Sequence, residues 1–236
     1  MLDVSRSWPG STALSFGILI WSLAQAPVWA AADDVLKADG WSEVFFDGKM
    51  PNHFTSDETG GLIVRSDKSV SLLQKPIDID LDATPRLTWR WRVSLPAPPT
   101  DLGVKGGDDR SLALYVAFPY QPEEAGVMER MKRAIIEKVA GKKAPGRVLI
   151  YVWGGLRERG ERVKSPYMDD AGVITILRGG NTEPNAWFEE TINVKEDYRQ
   201  IFGKQPPDPI SIAIGADTDD TMTLAEGVIA DLHFIP

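Results

Sequence analysis

The sequence predicts a mainly β protein: an antiparallel, jelly-roll-like β-sandwich with one inserted amphipathic helix and one short helix. Three observations carry this expectation. About ten short runs alternate apolar residues with polar or small ones, the period of a strand. Turn signals such as Asp47-Gly48, Gly106-Gly107 and Gly179-Gly180 separate those runs. Helical periodicity is confined to two stretches, too few for alternating β/α units.

Residues 1–32 read as an export signal. Ala13–Leu23 is apolar, and Val28-Trp29-Ala30 supplies tolerated residues at a cleavage position. The apolar core is short for a bilayer span, so no transmembrane anchor is expected after cleavage. Residues 33–236 are then expected as one periplasmic or secreted sandwich domain. The chain is 43% hydrophobic and 25% charged, which is ordinary globular composition. Its net charge of −8 argues against a nucleic-acid partner. It contains no cysteine, and a domain of this size buries a core without disulfides.

Along the chain, Asp33–Asp39 is polar and expected to fray. Trp41–Phe46 reads as a strand, Asn52–Gly61 as a loop, and Gly61–Ser66 and Val70–Gln74 as two further strands. Leu87–Val93 and Leu112–Phe118 form a central pair. Leu87, Trp89, Trp91 and Val93 share one face of the first, and Thr88, Arg90 and Arg92 the other. In the second, Leu112, Leu114, Val116 and Phe118 oppose Asp109, Ser111, Ala113, Tyr115 and Ala117. The connection Ser94–Gly107 is long enough to carry function.

Pro122–Ala140 has a helix-start proline, a stop at Gly141, and Met128, Met131, Ile135 and Val139 at helical spacing. It is expected to pack on the sandwich. Arg147–Trp153 is a strand with Val148, Ile150 and Val152 opposite Leu149, Tyr151 and Trp153, and Gly154–Met168 a charged loop. Gly172–Arg178, Trp187–Val194, Ile210–Ala216 and Ala225–Phe234 complete the strands, with a short helix at Glu196–Phe202 stopped by Gly203.

Several motifs are more specific together than singly. They are W-R-W-R-V (89–93), G-D-D-R-S (107–111), Y-V-W-G (151–154), N-V-x-x-D-Y-x-x-x-F-G (193–203) and D-T-D-D-T (217–221). In combination the chain from about Trp41 onward resembles a set of exported bacterial proteins grouped as domain of unknown function 3047 (DUF3047). The resemblance implies an exported, β-rich domain. It implies no activity and no catalytic residues. The closing V-I-A-D-L-H-F strand is also similar to those of carbohydrate-binding jelly rolls.

The candidate ligand-binding residues are Arg90, Arg92, Asp109, Tyr115, Tyr151, Trp153 and His233. The charged and hydroxyl groups among them hydrogen-bond a polar ligand, and the aromatic rings stack on a sugar. Asp108, Asp109, Asp217, Asp219 and Asp220 form two acidic clusters at strand ends. Clustered carboxylates suit Ca²⁺, the one cofactor the sequence suggests. The stretch lacks the sixth-position Gly and terminal Glu of an EF-hand, and Asp and Thr at such positions also serve as ordinary turn residues. Only two histidines occur, His53 and His233, and no nucleophile elbow, phosphate loop or zinc pattern is present.

The reading favours a non-catalytic envelope domain that binds a glycan or other polar ligand. A carbohydrate-active hydrolase or lyase using paired Asp residues and a purely structural envelope protein are its alternatives. An open polar face lined by Arg90, Asp109, Tyr115 and Asp217 separates the first two from the third.

Overall fold

A computed structural model of the chain describes residues 21–22, 32–123 and 145–236. The proposed helix, apart from Pro122 and Glu123, lies outside the described residues. So does the proposed export signal, apart from Trp21, Ser22 and Ala32.

Two sheets form a sandwich. The larger has eight strands, ordered β1 (Trp21–Ser22), β2 (Ser42–Phe46), β5 (Val70–Pro76), β12 (Ser211–Asp217), β7 (Arg110–Ala117), β8 (Val148–Trp153), β10 (Gly172–Arg178) and β9 (Arg162–Lys164). The smaller is ordered β11 (Phe188–Asn193), β6 (Arg86–Leu95), β13 (Leu224–Ile235), β4 (Leu62–Asp67) and β3 (His53–Ser56). The pairings are antiparallel, as expected, except β8 with β10, which run parallel. None of the described helices is long and apolar enough to cross a membrane.

The expected central pair is in fact split between the sheets. β6 lies in the smaller sheet and β7 in the larger, so their apolar faces meet across the core. β6 shows the alternation its sequence predicts: Leu87, Trp89, Trp91 and Val93 are buried, while Thr88, Arg90 and Arg92 are half-exposed. Trp89 and Trp91 meet edge to face at 5.5 Å between ring centroids. Across the core, Trp91 meets Trp153 at 5.8 Å and Trp89 meets Tyr151 at 6.1 Å. Leu112, Leu114, Val116 and Phe118 fill the space beside these rings.

β7, β8 and β12 are buried along their whole length, on both faces. The larger sheet therefore carries a second apolar layer on the side away from the smaller sheet. It is built from Leu72, Ala113, Tyr115, Val148, Ile150, Val152, Ile174 and Ala213, among others.

Three short elements run against expectation. Asp33–Asp39 is not frayed: α1 (Asp34–Ala38) is capped by the Asp33 carboxylate, which accepts from Leu36 N–H at 2.9 Å. β3 lies inside the stretch read as a loop, and β9 inside the charged loop after β8. Both are edge strands of three or four residues, too short for a period to show. The last helix, α2 (Val194–Phe202), begins at the Asn193 cap and ends at Gly203, which adopts φ +69°.

Candidate functional site

Paired strands β7 and β12 build the site. Ser211 lies opposite Ala117, Ala213 opposite Tyr115 and Gly215 opposite Ala113. Beyond Gly215 the register shifts, and Asp217 faces Arg110. β7 thus spends three residues where β12 spends two, which is a bulge. Strict alternation puts Arg110 with Leu112 on the core face. The bulge turns it to the opposite side, beside Tyr115 and Asp217, and turns Asp109 away. Gly215 suits this crowded crossing: a Cβ there would lie 2.6 Å from both Leu72 Cδ2 and the Ser71 carbonyl oxygen.

The far face of the larger sheet holds a cavity of about 280 Å³. Its lining is mainly apolar, with Leu72, Ala117, Val148, Ile150, Ile174 and Ala213 beside Phe46, Tyr115, Tyr167 and Met168, and it also carries the polar side chains of Gln74, Ser165 and Ser211. One end is charged: Asp108, Arg110, Asp217, Asp219, Asp220 and Lys49.

Arg110 organises that end. Its Nη1 lies 3.3 Å from a carboxylate oxygen of Asp108 and 3.3 Å from one of Asp217. Its Nη2 donates to the Tyr115 hydroxyl at 2.6 Å. All four residues are buried. Burial works against the guanidinium charge, but Tyr115, Asp217 and Asp108 outweigh it and raise its pKa. Burial pushes Asp217 well above the usual carboxylate range, opposed by Arg110 and reinforced by Asp219 and Asp108. Asp220 is raised by burial and then by Asp219, Asp108 and Asp109. Burial and the Asp108 carboxylate push the Tyr167 phenol up to about 12. Asp108 Oδ1 and Asp217 Oδ1 are buried without a hydrogen-bond partner.

Asp109, expected to face a ligand, does not line this cavity. Its carboxylate accepts from Thr221 N–H at 2.7 Å, Thr221 Oγ1 at 2.5 Å and Asp220 N–H at 3.3 Å. It ties the start of β7 to the turn after β12. The two acidic clusters do meet: Asp109, Asp219 and Asp220 each bring one carboxylate oxygen within 4.8 Å of the others. Lys49 is in ionic contact with Asp219.

Of the other residues predicted for a ligand face, Tyr115 lines the cavity. Tyr151 and Trp153 are instead fully buried between the sheets, where the Tyr151 hydroxyl donates to Asp197 at 3.0 Å. The reason is that β8 is buried on both faces, so its aliphatic stripe does not mark the inter-sheet side. Arg90 and Arg92 lie on the outer face of the smaller sheet. Their guanidinium carbons lie 4.8 and 5.2 Å from the Trp187 ring centroid, and Arg90 pairs with Asp231 at 2.5 Å. His233 is exposed on β13, its ring nitrogen 2.8 Å from the Asp231 carbonyl. These three belong to the smaller sheet, away from the cavity. No single face brings Arg90, Asp109, Tyr115 and Asp217 together.

Sequence reasoning missed Arg110, Lys49 and Tyr167. A charged residue at a core-parity position was the available signal for Arg110. Lys49 and Tyr167 sit in loops whose course no local pattern encodes.

A family described as a protein of unknown function, DUF3047, matches residues 39–233. No curated protein matches the chain. Among solved structures, the chain is similar to the xyloglucanase domain of NopAA from Sinorhizobium fredii, solved in complex with cellobiose. The identity is 10%, the TM-score 0.44, and the match covers 83% of this chain and 93% of that one. It is also similar to a family 11 carbohydrate-binding module of the cellulase Lic26A-Cel5E of Clostridium thermocellum, at 12% identity and TM-score 0.39, covering 83% and 87%. A thermostable cellulase derived from Cel12A of Rhodothermus marinus matches at 12% identity and TM-score 0.41, covering 84% and 92%.

Proposed function

The chain belongs to the DUF3047 family, and we propose that it is an exported, non-catalytic domain that binds a glycan or similarly hydroxyl-rich ligand in the cavity of its larger sheet. One observation carries the reading. Two buried carboxylate oxygens, Asp108 Oδ1 and Asp217 Oδ1, have no hydrogen-bond partner in a cavity whose lining is otherwise mainly apolar. An acceptor buried without a donor costs free energy that a bound donor removes. Sugar hydroxyls supply such donors, and the C–H face of a sugar ring fits the apolar part of that lining, flanked by Tyr115 and Tyr167. Residues 1–32 supply the export signal in this reading.

The test is a glycan array with the mature protein, followed by calorimetry on each hit. Asp108→Asn and Asp217→Asn should weaken binding at least tenfold, because an amide nitrogen replaces one acceptor oxygen. Arg92→Ala and His233→Ala, on the other sheet, should leave it unchanged. Binding lost in Arg92→Ala but kept in Asp217→Asn would place the ligand elsewhere and refute the reading. An array without hits would also count against it. Turnover of a bound glycan would replace it with a hydrolase.

A further inference from the structure

We propose that Arg92 and Trp187, with Arg90 beside them, form a second binding site, for a uronate carried among neutral sugars in an acidic saccharide. The site lies on the outer face of the smaller sheet, across the sandwich from the cavity. It stands independently of whatever the cavity binds.

The register of the sheet builds it. Arg90 and Arg92 are alternate residues of β6, so both point outward while Trp89 and Trp91 fill the core. Phe188 lies opposite Trp91, so Trp187, one residue before β11, falls beside Arg92. The loop that delivers Trp187 is pinned: Asn185, at φ +70°, donates its N–H to the Val93 carbonyl at 2.8 Å. Both guanidinium groups rest on the indole, their carbons 4.8 and 5.2 Å from its centroid. The ring nevertheless stays 40% exposed. On the β13 side, Val228 lies opposite Arg92 and Ala230 opposite Arg90, both buried.

Charge singles out Arg92. Arg65 on the neighbouring β4 pairs with Glu226 at 3.0 Å, and Ser94 Oγ donates to the same carboxylate at 3.0 Å. Arg90 pairs with Asp231, which reaches it from the bulge where β13 shifts register and itself adopts φ +55°. Asp57 accepts from Thr59 and from the Gly61 N–H, each at 2.8 Å. Among the described residues Arg92 has no ion pair and no hydrogen bond. Its Nε is buried without an acceptor, and the residue as a whole is half-exposed. An unmatched guanidinium fork against an exposed ring is what a planar carboxylate on an apolar body requires.

The surrounding acids narrow the class of ligand. The Asp231 side chain is 62% exposed, and Glu189, opposite Arg90 on β11, is exposed and pairs with neither arginine. These carboxylates repel a closely spaced run of negative charge, such as an acidic peptide, yet they accept hydroxyl donors. A single carboxylate on a hydroxyl-bearing ring meets both demands. Its carboxylate takes the Arg92 fork, and the C–H face of its ring lies on Trp187.

The experiment is calorimetry on the purified protein with two probes: an oligosaccharide of alternating glucuronate and N-acetylglucosamine, and a glucuronate-branched xylan oligosaccharide. We expect saturable binding of at least one. Methyl-esterifying its carboxylates should weaken it about tenfold or more, since a charged hydrogen-bonded pair is lost. Arg92→Gln and Trp187→Ala, each confirmed folded by circular dichroism, should weaken it to a similar degree. Arg92→Lys keeps the charge without the fork and should recover only part of the loss. Arg157→Gln, at a half-exposed arginine in the loop after β8, should bind as wild type. Equal binding of acid and ester refutes the site, as does an equal loss in Arg157→Gln and Arg92→Gln. Oligoglutamate bound as tightly as the saccharides would make this an acidic-protein surface and refute it too, as would no saturable binding of either probe. The cavity reading fails or stands separately: a glycan held there should bind Arg92→Gln and Trp187→Ala as it binds wild type.

Discussion

Arg110 is the residue on which the site depends. Among the described residues its guanidinium is the one cation placed between two buried carboxylates, and both keep an oxygen on it at 3.3 Å. Removing one member of a buried ionic group strands the others in low dielectric. Arg110→Met should therefore destabilise the protein by roughly 3–5 kcal/mol, read as a fall in the denaturant midpoint. The loss should be larger at pH 8 than at pH 5, because protonation relieves stranded acids. A variant as stable as wild type would mean that the carboxylates do not need this partner. Arg110 also marks how far the sequence was legible at this scale. Alternation placed Trp89, Trp91, Leu112 and Leu114 correctly in the core. It failed at Asp109 and Arg110, because a bulge exchanges faces and leaves no residue-level signature beyond a charge out of phase.

At the scale of elements, long strands were readable and short ones were not. β6 and β13 span ten and twelve residues, enough for a period of two to stand out, whereas β3 and β9 do not repeat it. Which strands pair is a non-local matter, so the assignment of β6 and β7 to different sheets was hidden, and with it the separation of Arg90 and Arg92 from Tyr115. The start of α1 was misread although its signal was present. Asp33 accepts from Leu36 N–H at 2.9 Å and from Ser56 N–H and Oγ at 2.7 and 2.9 Å. The backbone bonds from Leu36 and Ser56 pull the Asp33 pKa below its usual value. A carboxylate with a lowered folded pKa adds stability above its unfolded pKa and loses it as pH falls through the folded one. Asp33→Ala should cost roughly 0.5–2 kcal/mol at pH 7. Its difference from wild type should shrink below pH 4 and vanish once Asp33 is protonated. Denaturant melts of the two proteins across that range test the sign. A pH-independent difference would assign the loss to packing of α1 alone.

At the scale of the molecule, the two sheets are joined by aromatic rings rather than by shared strands. Trp91 lies at the centre: it meets Trp89 from its own strand and Trp153 from the facing sheet, and its indole N–H donates to Glu190 at 3.2 Å. Trp153 in turn meets Phe188 at 5.4 Å, and Glu190 pairs with Arg178 at 2.7 Å and Arg159 at 2.8 Å. A defect at Trp91 therefore reaches β6, β8, β10 and β11 at once. Trp91→Ala should cost roughly 3–5 kcal/mol, the range for a large ring deleted from a packed core. Because the lost contacts span both sheets, residues 33–236 should still unfold in one transition. Circular dichroism, which follows both sheets, and tryptophan fluorescence, dominated by the rings packed between them, should give coincident curves in wild type and variant. Separate midpoints in the variant, with the fluorescence change first, would show that the sheets can separate before either unfolds. The sandwich would then be two units that dock through Trp91.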